Sequence, residues 1–219
     1  MFCDTISLVV KALKINYQKE LEKVINECNG SPKRLLLHVC CAPCSSYVLE
    51  YLSNYFEITV FYYNPNIEPK SEFDFRQNEE RRLISELKTK YPVHFIAGEY
   101  NPEDFHAAIK GVENTGEGGE RCRRCFNLRL SKTAQLCKSE NFDYFTTTLS
   151  ISPLKNAETL NDIGLAAAKE YGVCWLYSDF KKKGGYLRSI ELSKQYNLYR
   201  QNYCGCAYSK NERYLPQDK

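Results

Sequence analysis

The stretch RLLLHVCCAPCSSYVLEYL, residues Arg34 to Leu52, decides the fold. Its opening, RLLLHV, is a nearly continuous apolar run, the pattern of a parallel strand buried on both faces. Its close, SSYVLEYL, has helical spacing, with Ser45 or Ser46 placed to cap the helix N-terminus. A strand passing directly into a helix opens a βαβ unit, and the turn between them commonly grips a phosphate through glycines. Here that turn holds three cysteines within five positions, Cys40, Cys41 and Cys44.

Outward from this unit the alternation continues. EITVFYYNP reads as a second strand ending at Asn64–Pro65, VHFIAG as a third, FDYFTTTLS as a fourth and VCWLYSDF as a fifth. Between them lie a charged helix from about Phe73 to Lys90, a short helix opened by Asn101 and Pro102 and closed by Gly111, a helix beginning at CRRC, and one over NAETLNDIGLAAAKEYG. The glycine-rich segment from Gly111 to Arg121 reads as a mobile loop. Strands alternating with helices predict an α/β fold with a Rossmann-like, doubly wound parallel sheet and ligands at the strand C-terminal ends. That rule gathers Cys40–Cys44, Asn64–Asn66, the loop near Cys122, Ser150–Ser152 and Ser178–Asp179 around one crevice. Ahead of the first strand, Ile6, Val9, Val10, Leu13 and Ile15 approach helical spacing, which divides the chain into an extra amphipathic helix over residues 1–30 and one α/β domain over 31–219.

The chain has 219 residues, 43% of them hydrophobic, enough for one substantial core. No window reaches the ~18 uninterrupted apolar residues of a membrane helix. The first residues lack the cleavage pattern of a signal peptide, so a cytoplasmic location is expected. A net charge of +3 excludes little. Eleven cysteines without a secretory signal argue against a disulfide scaffold and for metal or redox chemistry.

Seven of the eleven form three groups: Cys40, Cys41 and Cys44; Cys122 and Cys125; Cys204 and Cys206. Cys3, Cys28, Cys137 and Cys174 are isolated and read as structural, Cys174 as a buried small hydrophobe. A CxxC on the first turn of a helix aims two sulfurs at one point, and the helix N-terminus favours thiolates. Two such elements facing each other make a four-thiolate site for zinc or an iron–sulfur cluster. Halves this far apart in sequence, at strand ends, favour an active-site cluster over a zinc ribbon. The pair Cys204 and Cys206, separated by one glycine, reads either as a strained, reducible disulfide or as further metal ligands.

Lys181, Lys182, Lys183, Arg188, Lys194 and Arg200 interleave with Tyr186, Tyr196, Tyr199 and Tyr203 just before YCGC, and Arg121, Arg123, Arg124 and Arg129 surround the second thiol pair. Cations for phosphates and rings for unstacked bases describe a single-stranded RNA surface; a solvated helix face is the plainer reading. His38 reads as a core histidine or one supporting a ligand, and His94 and His106 as ordinary fold residues. Asp179, at a strand end, reads as a metal ligand or proton donor, or equally as a capping residue.

Taken together, LLLHVCCAPC, FYYNPNIEP, RCRRCF, FTTTLSISPLKN, SDFKKKGGYLRSIELSK and LYRQNYCGC, in order from about residue 35 to 209, make the sequence similar to the cobalamin-independent epoxyqueuosine reductases of the QueH type. The resemblance implies an adenine-nucleotide α-hydrolase-like (HUP) architecture and reduction of epoxyqueuosine to queuosine at wobble position 34 of a tRNA with a GUN anticodon, the last step of queuosine synthesis. It implies a [4Fe–4S] cluster on Cys40, Cys41, Cys122 and Cys125, and a redox-active disulfide between Cys204 and Cys206. It also implies an adjacent mononuclear iron, for which Cys44 and Asp179 are candidate ligands, and an electron donor the sequence does not name. Lys181, Lys182, Lys183, Arg188, Tyr199 and Arg200 are the candidate RNA contacts. With CCAPC in place of a glycine-rich phosphate loop, no use of ATP is expected. That loop's absence argues against the first rival, an iron–sulfur tRNA-thiolating enzyme of the same fold group; the second rival is a zinc-containing RNA-binding module.

Overall fold

The computed structural model describes residues 15–28 and 30–214. Ile6, Val9, Val10, Leu13 and Cys3 lie outside the described residues, and the expected N-terminal helix is described from Tyr17 to Cys28 (α1). Leu21, Ile25 and Cys28 are buried along it, an i, i+4, i+7 stripe that fixes which side faces the protein.

The remaining elements run β1 (Lys33–His38), α2 (Ala42–Leu52), β2 (Phe56–Tyr62), α3 (Lys70–Glu86), β3 (Val93–Ala97), α4 (Pro102–Ile109), α5 (Glu120–Ser139), β4 (Tyr144–Thr147), α6 (Ala157–Tyr171), α7 (Gly185–Gln195) and α8 (Ala207–Tyr214). The four strands pair in the order β3-β2-β1-β4, every pairing parallel. Because strand side chains alternate, β1 divides the core. Leu35 and Leu37 pack with Ile58, Val60, α2 residues Val48 and Leu49, and α3 residues Phe73 and Leu83. Leu36 packs on the opposite face with Phe61, α5 residues Leu130 and Ala134, and α6 residues Ala167 and Ala168. Helices thus cover both faces, as the continuous apolar run of β1 requires.

Four expectations need correction. Neither Ser45 nor Ser46 caps α2. Cys41 does, with extended backbone (φ −171°, ψ 154°), its carbonyl accepting from the N–H groups of Cys44 and Ser45. Pro43 in the first turn, where its missing N–H leaves no bond unmade, moves the start upstream. The charged helix likewise starts earlier, at Lys70 after Pro69. The expected fifth strand is a single bridge between Phe145 and Trp175, because the Asn161 side chain takes the place of a strand partner. Its Oδ1 accepts from Trp175 Nε1 (3.0 Å) and Ser178 N (3.1 Å), and its Nδ2 donates to the Ser178 carbonyl (2.9 Å). Cys174, expected in the core, is exposed, since Trp175 and Leu176 are the residues of that segment that turn inward.

Candidate metal and redox centre

The three thiol groups converge beyond the carboxyl ends of β1, β2 and β4. His38, the last residue of β1, anchors that end. It is wholly buried, with Nδ1 2.9 Å from Thr147 Oγ1 of β4 and Nε2 3.2 Å from the Tyr63 carbonyl after β2. Burial, reinforced by the Arg129 charge, pushes its pKa down to about 3, so it ties three strand ends together as a neutral ring. Asn64 adds a second tie, donating from Nδ2 to the Val39 carbonyl at 2.8 Å.

The sulfurs of Cys40, Cys41 and Cys44 lie within 4.8 Å of one another, close enough to share one metal ion. Cys40 and Cys41 are 3.7 Å apart. Hydrogen bonds from Cys40 and Cys44 hold the Cys41 thiol well below its ordinary range, while the same contacts with Cys40 and Cys41, together with burial, push Cys44 well above it. Cys44 therefore sits with Cys40 and Cys41 in space as it does in sequence.

Helix α5 presents the second group in two directions. Cys122 packs against the cluster containing Cys40, Cys41 and Phe126, and Cys125 packs with Cys206. Burial pushes both thiols up, Cys125 to about 12. The segment read as a mobile loop is held over this helix start: Gly118 N–H donates to Cys122 Sγ, Glu117 N–H to Glu212, and Arg121 N–H to Thr115 Oγ1.

The third group is wedged in place. Arg76 Nη1 donates to the Cys204 carbonyl (3.2 Å), Glu68 N–H donates to the Gly205 carbonyl (3.1 Å), and Ser209 N–H donates to Cys206 Sγ (3.4 Å). Gly205 has φ +122°, and a Cβ there would fall 2.8 Å from Ile67 Cγ1, so conformation and space both require glycine. Cys204 lines two cavities. One, of about 170 Å³, is bounded by Cys40, Cys41, Cys44 and Lys155 with Tyr186 and Tyr203. The other, of about 20 Å³, is bounded by Cys122, Cys125, Cys206 and Asn66. Cys204 is thus the sulfur that adjoins all three groups.

The other residues singled out in the sequence lie as follows. Asp179 pairs with Lys181 at 3.0 Å and lines neither thiol cavity. Lys183 pairs with Glu22, and Arg188 with Glu50 and Glu191. Lys182 is exposed on the turn before α7. Tyr199 donates its N–H to Glu79 and its hydroxyl to Glu72. Arg200 donates to Ser193 Oγ and lines the larger cavity. Arg121 and Arg129 are buried and so form no part of an RNA surface; Arg123 and Arg124 lie outward beside Glu120.

Four residues at or behind the site were not singled out for these roles. Lys155 is half-buried against the larger cavity; burial alone would push its pKa down, but the sulfurs of Cys204, Cys40 and Cys44 outweigh that and raise it. Arg76 and Glu80 are fully buried on α3 at 73–76–80–83 spacing with Phe73 and Leu83, so charged residues on an apolar stripe were the available signal. Arg129 follows Cys125 by four residues, on the same face of α5.

These residues fit a thiolate-bound metal centre. The donors are soft, largely buried sulfurs, and two polar groups there lack partners: both ends of the Asn66 amide, and Nη2 of Arg129, whose charge is felt by Cys125, Cys204, Cys40 and Cys122.

The family model described as epoxyqueuosine reductase QueH matches residues 35–212. A relative from Streptococcus pyogenes serotype M1, named epoxyqueuosine reductase QueH, is 44% identical over 200 residues, covering 90% of this chain and 78% of that protein. One of the same name from Staphylococcus epidermidis is 43% identical over 206 residues (91% and 87%), and one from Thermotoga maritima 37% over 185 (82% and 91%). With all three thiol groups inside the matched span, the chain belongs to the epoxyqueuosine reductase QueH family.

Proposed function

We propose that this protein is an oxidoreductase that reduces epoxyqueuosine to queuosine in tRNA. The observation that carries the reading is the meeting of three thiol groups, distant in sequence, around two cavities that share Cys204, in a chain of this family. Conversion of an epoxide to an alkene takes two electrons and two protons and releases the oxygen as water. A dithiol supplies that number of both: when Cys204 and Cys206 go from two thiols to a disulfide, the C–O bonds break, the alkene forms and water leaves. An external reductant of the thiol or low-potential one-electron class then restores the pair.

Cys40, Cys41, Cys122 and Cys125 would hold a [4Fe–4S] cluster, and Cys44 would be a ligand of an adjacent mononuclear iron. Such a centre supplies single electrons and an acceptor for the epoxide oxygen when bound. The protein's own residues set the rest. Lys155, a cation at the wall of the larger cavity, can meet the negative charge that develops on oxygen as the epoxide opens. Tyr186, Tyr203 and Arg200 line the same cavity, where an unstacked wobble nucleotide can rest on rings with its phosphate near a cation. Lys182, exposed on the turn just before Tyr186, adds to that charge. A cytoplasmic site of action follows from a tRNA substrate and reduced thiols. Among the described residues no helix is long and apolar enough to cross a membrane.

To test the reading, anaerobically purified protein is incubated with epoxyqueuosine-bearing tRNA and a reductant, and nucleosides are analysed by mass. Queuosine is expected; its absence with metal-loaded protein overturns the assignment. In the same assay Cys204→Ser should abolish multiple turnover, and full multiple-turnover activity would remove Cys204 from the electron path.

A further inference from the structure

Three arginines are almost wholly buried: Arg76, Arg121 and Arg129. Arg76 pairs with Glu72 at 2.8 Å and Arg121 with Glu212 at 2.6 Å. Arg129, 0% exposed, pairs with no carboxylate among the described residues. Its Nε donates to the Cys125 carbonyl and its Nη1 to Asn64 Oδ1, both at 3.3 Å, and its guanidinium lies 5.7 Å from the Phe126 ring centroid. Both acceptors are neutral, and Nη2 has no partner. The adjacent His38 is a neutral ring.

A guanidinium stays charged at every accessible pH, and a buried charge without a counter-ion is strongly destabilising. The anions that can balance Arg129 are therefore metal-bound thiolates: Cys125, one turn before it on α5, and Cys204, Cys40 and Cys122, whose charges also act on it. These sulfurs belong to all three thiol groups, so the charge sits where the groups meet.

We propose that Arg129 is the counter-cation of the thiolate-held metal centre, a positioning residue that sets how readily the centre accepts an electron. This rests on the reading that these thiols hold a redox-active metal. One electron from a low-potential donor such as dithionite adds one negative charge to the centre, with no proton required. A fixed positive charge in a site of low dielectric stabilises that reduced form. Removing it makes reduction harder.

The test is a potentiometric titration of the anaerobically metal-loaded full chain, followed by its visible spectrum, with metal content measured beside it. Arg129→Gln should shift the one-electron equilibrium at least tenfold toward the oxidised form, about 59 mV more negative. Arg129→Lys should stay within threefold of wild type, because it keeps the charge. Asn64→Asp places a carboxylate 3.3 Å from Nη1 and should shift the potential in the direction of Arg129→Gln; it carries the test if that variant does not fold. The proposal is overturned if Asn64→Asp or a folded, metal-loaded Arg129→Gln keeps the wild-type potential. It is also overturned if Lys is as damaging as Gln, or if the wild type binds no redox-active metal. Wild-type protein with a redox-active centre that leaves epoxyqueuosine unchanged refutes the substrate assignment and leaves the role of Arg129 standing.

Discussion

Glu80 shows how one side chain couples the site's support to pH. It is wholly buried behind α2, with Oε2 2.8 Å from Ser45 Oγ and Oε1 without a partner. Burial, with smaller contributions from Cys40 and Glu79, pushes its pKa from 4.5 up to about 8. The folded protein therefore binds the proton more tightly than the unfolded chain. That contribution to stability is complete below about pH 4.5, falls as pH rises, and is gone above about pH 8, with a slope on the order of 1 kcal/mol per pH unit. Between pH 5.5 and 8.5, urea midpoints of the wild type should fall relative to Glu80→Gln, which keeps a neutral polar group facing Ser45. A constant difference between the two proteins would show that Glu80 does not carry the proton. His38, with its pKa lowered, acts with the opposite sign: its contribution is lost as pH falls from about 6.5 to about 3, largely outside this window.

Among the secondary-structure elements, α2 and α7 both contribute to the wall of the larger cavity. α2 carries Cys44, and α7 carries Tyr186 and Ser189. Gly185, at the start of α7, permits their approach: a Cβ there would lie 2.1 Å from the Phe180 carbonyl oxygen and 2.4 Å from Tyr47 Cε1. Gly185→Ala should cost about 1–3 kcal/mol through overpacking. In a chain of this length that lowers Tm by roughly 2–4 °C per kcal/mol, measurable by circular dichroism. An unchanged Tm would mean that α7 shifts freely, and that the cavity wall is softer than the packing implies. The element pattern itself was legible in the sequence, because β1, β2 and α5 carry strong periodicity. What failed was local: Pro43 placed the α2 cap at Cys41, and the Asn161 side chain satisfied the segment read as a fifth strand. Neither substitution of one hydrogen-bond partner for another leaves a trace in hydrophobic spacing.

For the protein as a unit, the metal proposed above would add to the stability of the fold. Seven grouped cysteines, the orphaned Asn66 amide and the unbalanced Arg129 charge all lie in one region, so a ligand that binds only the folded form should stabilise it. Anaerobic removal of metal with a chelator should lower Tm by at least about 5 °C, and restoring iron and sulfide should recover it. Equal Tm values for the two forms would show that the thiol region is held by packing alone. The strand–helix alternation, the thiol turn after β1 and the grouping of the cysteines are properties of residue order, and they were enough to imply the α/β class and a crevice at the strand ends. Which cations stay in solvent and which become counter-ions was settled by packing. Arg121 and Arg129 stand in the same basic run as Arg123 and Arg124, yet helix periodicity turns the first two inward and the others out. The partners that balance them, or fail to, come from chain segments tens of residues away: Glu212 for Arg121, and Asn64, Cys40 and Cys204 for Arg129. Charge balance in a buried site is a sum over neighbours in space, and a linear sequence does not contain that sum until the chain has folded.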